Sequence, residues 1–220
     1  MNYTFQFRDV FAAWEFIAEG LQTTLYLSVL TMILGLVIGI GCAAARVYGP
    51  APVRAVVATY VEVIRNTPLL VQLFIVFFGL PSIGIRLDAL TAALISLTIN
   101  LGAYSAEIVR AGLQAIPKPQ IEAGHSLGLS SFQVFRYIIL MPSLKIMYPA
   151  LASQFILLML ATSIASQISV PELFHAGSII QSRTFRDFEV YTVIGVLYLM
   201  LALALRGAFA VVYKVVFDRQ

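Results

Sequence analysis

Two acid–base pairs lie in stretches where few charges belong. Glu62 and Arg65 stand three residues apart in one apolar run, and Glu107 and Arg110 repeat that spacing at the end of another. Residues three apart share a helical face, so each pair can form an ion bridge. Charges at membrane depth are costly and usually face a cavity or a partner. Two roles are compatible with that cost: ion pairs that fix helix packing near the inner interface, or the lining of an inner gate. Asn66, Thr67 and Pro68 follow the first pair directly. Pro68 removes a backbone donor and should kink its helix, as a hinge or as a static bend.

A second constellation is polar and sits between apolar runs. The stretch Ile121–Pro142 reads IEAGHSLGLSSFQVFRYIILMP, and Ile116-Pro117-Lys118-Pro119 breaks the chain just before it. Pro119 fits the start of a helix, with Glu122 in its first turn where negative charge is favourable. Leu127, Leu129, Phe132 and Phe135 supply apolar knobs, while Ala123, Gly124 and Gly128 let another backbone come close. A short helix lying across the membrane surface and docking into a partner's groove has these features; so does an interfacial helix without a partner. A third polar stretch, Gln167–Phe188, carries Pro171, Glu172 and His175 and reads as a solvated loop.

Enzyme chemistry has no foothold in the remaining residues. There is no GxxxxGK[ST] phosphate loop, no cluster of His or Cys, and no nucleophile elbow. The chain is therefore expected to be non-catalytic, to hold no metal or cofactor, and to leave any ATP hydrolysis to another protein. The net charge of +3 is modest and forms no stripe for nucleic acid. Cys42 lies in an apolar run and reads as a small core residue.

These residues must be positioned by membrane helices. The chain has 220 residues, 60% hydrophobic and only 11% charged, with a mean hydropathy of +0.91; a soluble domain has about 25% charged residues. Five segments are long enough to span a bilayer: Thr23–Ala45, Ala55–Leu80, Leu87–Val109, Ile138–Ala165 and Val190–Tyr213. They read as one all-α domain over residues 1–220, with residues 1–22 as an interfacial N-terminal segment rich in Phe and Trp. Gly35 and Gly39 in the first span permit close helix approach. With the N-terminus outside, the inside segments hold Arg46, Arg54, Arg110, Lys118, Arg136, Lys145, Lys214 and Arg219, against Arg8, Arg86, Arg183 and Arg186 outside. That excess places the C-terminus in the cytoplasm.

The polar insert resembles the EAA loop of binding-protein-dependent ABC importer permeases, whose pattern is EAA, three residues, Gly, nine residues, Ile-x-Leu-Pro. Glu122, Ala123, Gly128, Ile138 and Leu140 match at that spacing; Gly124 stands for the second Ala, and Pro142 comes one residue late behind Met141. Gly20–Leu25, Arg65–Leu73, Ala103–Arg110 and Thr162-Ser163 are similar to the polar amino acid subfamily (histidine, glutamine, arginine or opine type), with Asn66 in place of the Gly of RGTPLL. The Lys-Asp pair common in the fourth span of that family is here Leu160-Ala161.

The resemblance implies a transmembrane permease subunit of the bacterial inner membrane that couples a partner's ATP hydrolysis to alternating access for a polar amino acid or related zwitterion. It implies a cytoplasmic coupling helix within residues 116–131, between spans three and four, with Glu122, Ala123, Gly124, Gly128, Ile138 and Leu140 as the coupling set. It implies that Glu62, Arg65, Asn66, Thr67, Pro68, Glu107, Arg110, Thr162 and Ser163 line the pathway or gate, and that Pro171 and Glu172 meet a solute-binding protein. The implied partners are a dimer of cytoplasmic ABC ATPases carrying ATP and Mg, the binding protein, and a second permease. The loss of the Lys-Asp pair favours a heterodimer, in which the other half carries the polar substrate contacts; a different substrate is the competing explanation. An ion- or proton-coupled secondary transporter is the alternative function, with Glu62 and Glu107 as its only acidic candidates. A structural or signalling membrane subunit would need only the packing and the docking loop.

Overall fold

A computed structural model describes residues 4–217, so Arg219 and the first three residues of the N-terminal segment lie outside the described residues. The described residues are helical throughout, with no strand among them. A short α1 (Arg8–Ala12) leads into α2 (Trp14–Tyr48), 35 residues long. The first membrane helix therefore begins well before Thr23, and the expected interfacial segment supplies its first turns. Along α2, Gly20, Thr24, Leu27, Thr31, Gly35, Gly39 and Ala43 are buried, one small-residue stripe at helical spacing. The outer face carries Val29, Ile33 and Val37 at 54–64% exposure. Bulky apolar groups outside and small groups inside are the arrangement of a helix whose solvent is lipid.

The stripe meets α5 (Ala89–Gln114), of whose most apolar stretch 67% is buried. A Cβ built on Gly35 would lie 2.7 Å from Leu101, and one on Gly39 2.4 Å from Cβ of Ser105. The GxxxG pair is thus the place where α2 and α5 touch.

The second span is a correction. It is not one kinked helix over Ala55–Leu80 but two: α3 (Ala51–Arg65) and α4 (Leu69–Phe74, extended by wider and tighter turns to Ile83), bent by 106° at the break. Pro68 starts this break, as its missing N–H requires. Gln72 allows it. From the first turn of α4, its Nε2 donates to the carbonyls of Ile64 (2.7 Å) and Thr67 (3.1 Å) and to the Thr67 hydroxyl (2.8 Å). Its Oε1 accepts from Nδ2 of Asn100 on α5, 3.0 Å away. Among the described residues, four helical segments are long and apolar enough to span a membrane, and five if the bent pair counts as one broken span.

Between α5 and the next span lies α6 (Lys118–Ser126), and Ser130 caps α7 (Ser131–Gln133) with a reciprocal Gln133 bond. A wide π turn over Val134–Ile139 then runs into α8 (Leu140–Ala161) and a tight turn over Thr162–Ile168. A π turn holds one residue more than an α turn, but this one ends at Ile139, upstream of the extra residue that makes Pro142 one position late. The expected solvated loop at Gln167–Phe188 contains a twelve-residue helix, α9 (Leu173–Thr184). It is followed by α10 (Asp187–Phe217). Cys42 is half-buried rather than core.

Replacing Gln72 by Leu should leave the Thr67 carbonyl bare and the Ile64 carbonyl with a longer bond from the Thr67 hydroxyl (3.3 Å), and destabilise the fold by roughly 1–3 kcal/mol. Thermal melting of the purified protein in detergent measures this; an unchanged midpoint would mean the break is satisfied without Gln72.

Candidate functional site

The sequence-predicted residues fall into three places. Midway along the bundle, α3 ends beside α5. Arg65 does not bridge Glu62, contrary to expectation: its guanidinium lies 5.3 Å from the ring centroid of Tyr104 on α5. Glu62 instead accepts from Nδ2 of Asn66 at 3.1 Å, and the same amide bonds the Glu62 carbonyl at 2.8 Å. Thr67 turns its hydroxyl back to the Val63 carbonyl, 2.9 Å away. The Asn that stands for Gly thus caps α3, and Glu62, Arg65, Asn66, Thr67 and Pro68 are exposed around the break.

Glu107 is the ionic hub. It bonds Arg110 on its own helix, as the spacing predicts, and also Nη1 of Arg46 on α2 at 2.8 Å. Arg46 was legible only as an inside charge, although an acid in an apolar helix signals a second partner. Arg65, Tyr104 and Glu107 line a groove of roughly 550 Å³ with Ser153 and Gln154 of α8. A smaller recess of roughly 190 Å³ continues from Tyr104 and Gln154 to Asn100 and Ala161. Asn100 and Gln154 were missed as site residues; amides in apolar runs were the available signal. Where the resemblance leads one to expect a charged pair, Ala161 and the partly exposed Leu160 offer none. Thr162 and Ser163 bond the carbonyls of Met159 and Leu160 at 2.7 and 2.8 Å, closing the end of α8.

At one end of the bundle, α6 packs onto the start of α8. Pro117 is its N-cap, so Glu122 lies in the second turn rather than the first, beyond the reach of the helix dipole. Gly124 is buried: a Cβ there would lie 2.4 Å from Cδ1 of Ile138 and 3.1 Å from Val134. Its smallness serves packing within this chain. Gly128 has φ +79° and ends the helix, its N–H bonding His125 (2.9 Å) while Leu129 bonds Gly124 (3.2 Å). This paired closure requires the left-handed residue that glycine supplies. Glu122 and Ala123 are exposed, and Leu127 and Phe132 are 82% and 75% exposed.

At the other end, Pro171 is exposed but Glu172 is wholly buried. Its carboxylate caps α9 and offers no surface to a protein outside. His125 and His175 fall on α6 and α9, at opposite ends, and no metal-binding group of His, Cys, Asp or Glu occurs among the described residues.

Residues 35–217 match the family model for the binding-protein-dependent transport system inner membrane component. The glutamine transport system permease protein GlnP of Escherichia coli is 38% identical over 203 residues, 91% of this chain and 93% of its own length. The probable amino-acid ABC transporter permease protein YckA of Bacillus subtilis is 39% identical over 197 residues, 90% of this chain and 87% of its own. A solved amino acid ABC transporter with histidines superposes with a TM-score of 0.90 at 35% identity, covering 96% of this chain and 99% of that one. The MetNI methionine ABC transporter in an inward-facing form shares the fold at a TM-score of 0.78 and 21% identity, over 93% of this chain and 98% of that one.

Glu107→Gln should destabilise the protein by roughly 1–3 kcal/mol, since it weakens charge-assisted bonds to two helices at once. Arg46→Gln and Arg110→Gln should each cost less, because Glu107 keeps one cation. Chemical or thermal unfolding of the three variants checks the order.

Proposed function

The chain belongs to the family of binding-protein-dependent transport system inner membrane components, and on that premise we propose how it carries out transport. It is the permease subunit of an ATP-driven importer for amino acids, and polar amino acids or related small zwitterions are the class it passes. The observation that carries this is the fold shared with a solved amino acid ABC transporter over nearly its whole length. The chain is non-catalytic; ATP and Mg bind a pair of cytoplasmic ABC ATPases, and a solute-binding protein delivers the substrate outside the bacterial inner membrane. The ion-coupled alternative is not supported: Glu107 is held by two arginines and Glu62 by Asn66.

The α6 end faces the cytoplasm and the N-terminus lies outside. The distribution of charge supports this: Arg46, Arg54, Arg110, Lys118, Arg136, Lys145 and Lys214 cluster toward that end, against Arg8, Arg86, Arg183 and Arg186 toward the other. Helix α6 is the coupling helix. Glu122, Ala123 and Leu127 make its outward face, while Gly124, Ile138 and Leu140 seat it on α8 and Gly128 ends it. Closure of the ATPases pushes α6 and moves the spans between inward-open and outward-open states. A substrate shifts that balance only by its differential affinity for the two. The groove at Arg65, Tyr104, Glu107 and Gln154 is the pathway wall, with Asn66, Thr67, Pro68, Thr162 and Ser163 at its breaks. Leu160-Ala161 leaves that wall without the acid–base pair, which supports pairing with a different permease that carries the polar contacts.

Tagged chain purified from membranes with its native neighbours should bring down an ATPase and a second, different permease in equal amount. Changing Leu127 to Asp together with Glu122 to Arg should cut ATPase recovery about ten-fold, as loss of an interface anchor does, while the permease pair stays intact. Recovery of this chain alone under gentle conditions would overturn the assignment; recovery as a symmetric pair would overturn the heterodimer.

A further inference from the structure

Glu172 is a carboxylate with no cation. It is 0% exposed, and none of the ion pairs among the described residues includes it. One oxygen accepts from the amide of His175 at 2.6 Å; the other accepts from the amide of Phe174 at 2.9 Å and from the hydroxyl of Tyr198 at 2.6 Å. Tyr198 belongs to α10. Thr24 of α2 accepts from the amide of Leu173 at 3.1 Å. Gly20 of α2 lies so close that a Cβ there would be 2.9 Å from the Glu172 carbonyl oxygen. At Glu172, α10 therefore meets the carboxylate while α2 packs on the backbone at the start of α9.

Helix capping alone does not require this residue. Asp, Ser and Asn cap at least as well, and a carboxylate taken out of water costs several kcal/mol. Burial raises the Glu172 carboxyl above its usual range, opposed by the bonds from Tyr198, Phe174 and His175. What Glu has and Asp lacks is one methylene more, the reach to Tyr198. The residue just before it, Pro171, is exposed, while Val170 and Leu173 on either side are buried.

We propose that Glu172 and Tyr198 form a positioning latch that holds α9 and the exposed Pro171 in register with α10, so that docking of a solute-binding protein at this end is transmitted to the spans. Glu172 acts through Pro171 and α9 rather than by touching the partner. This rests on the importer reading.

The test uses the assembled transporter in lipid nanodiscs, with its ATPases, its second permease and the solute-binding protein encoded alongside, supplied with a mixture of the twenty amino acids. ATP hydrolysis per assembled complex is measured with and without the binding protein. Tyr198→Phe removes one hydroxyl; Glu172→Asp keeps the cap and loses the reach. Both should lower the stimulation by the binding protein, taken relative to each variant's own basal hydrolysis, by about ten-fold or more, the worth of one buried hydrogen bond to a charged group. A purely structural cap predicts that Glu172→Asp is neutral. Wild-type stimulation in both variants would overturn the latch, whatever their melting temperatures. A wild-type complex that the binding protein does not stimulate would overturn the importer reading itself, and the latch with it.

Discussion

A carbonyl left bare in hydrocarbon costs several kcal/mol, so a membrane helix can break only where something else covers the freed groups. The bend at Pro68 satisfies that condition with three side chains: Asn66 and Thr67 cover the Glu62 and Val63 carbonyls, and Gln72 covers the next. Gln72 returns from α4 to the Ile64 and Thr67 carbonyls and is itself held by Asn100. Because the break is covered, α3 can end at mid-height, and Arg65 can leave Glu62 to lie over Tyr104. The groove beside Glu107 exists on those terms. An unbroken helix would have carried Arg65 and Asn66 past α5 without opening a wall.

The close approach of α2 and α5 is the complementary half of the construction. Without a hydrophobic force between helices in lipid, contact depends on how near the backbones come. Gly35 and Gly39 remove the side chains that would keep α5 away, and the same seam then carries the Arg46–Glu107 bond at 2.8 Å. Small residues set the distance and the ion pair fixes the register.

Hydropathy made the four long spans and the bent pair legible, and Pro68 marked the break, because both are local properties of the chain. The 106° angle was not legible, since it depends on Gln72 meeting carbonyls and on an amide of a different helix. Glu62 and Arg65 have the right spacing for a bridge, but spacing says nothing of a tyrosine on α5 that competes for the guanidinium. Helix α9 was hidden because its cap and its buried face are short and its flanks are charged. Glu172 looked like surface for the same reason: a carboxylate beside a proline reads as loop until Tyr198 and Thr24, far away in sequence, close over it. Gly124 and Gly128 looked alike and differ in kind. One is small to admit Ile138, and the other is left-handed to stop a helix.

The seating of α6 has a mechanical consequence. Gly124 brings its backbone against Val134 and Ile138, in the wide turn that opens α8, whereas a short proline-bearing hinge around Ala115–Pro117 joins it to α5. Were α6 pushed, the load would enter the foot of α8 first, through the contact at one glycine. Helix α8 packs along α5 at Gly112 and Met147, so any swing of α8 would be levered against α5 and shared with it.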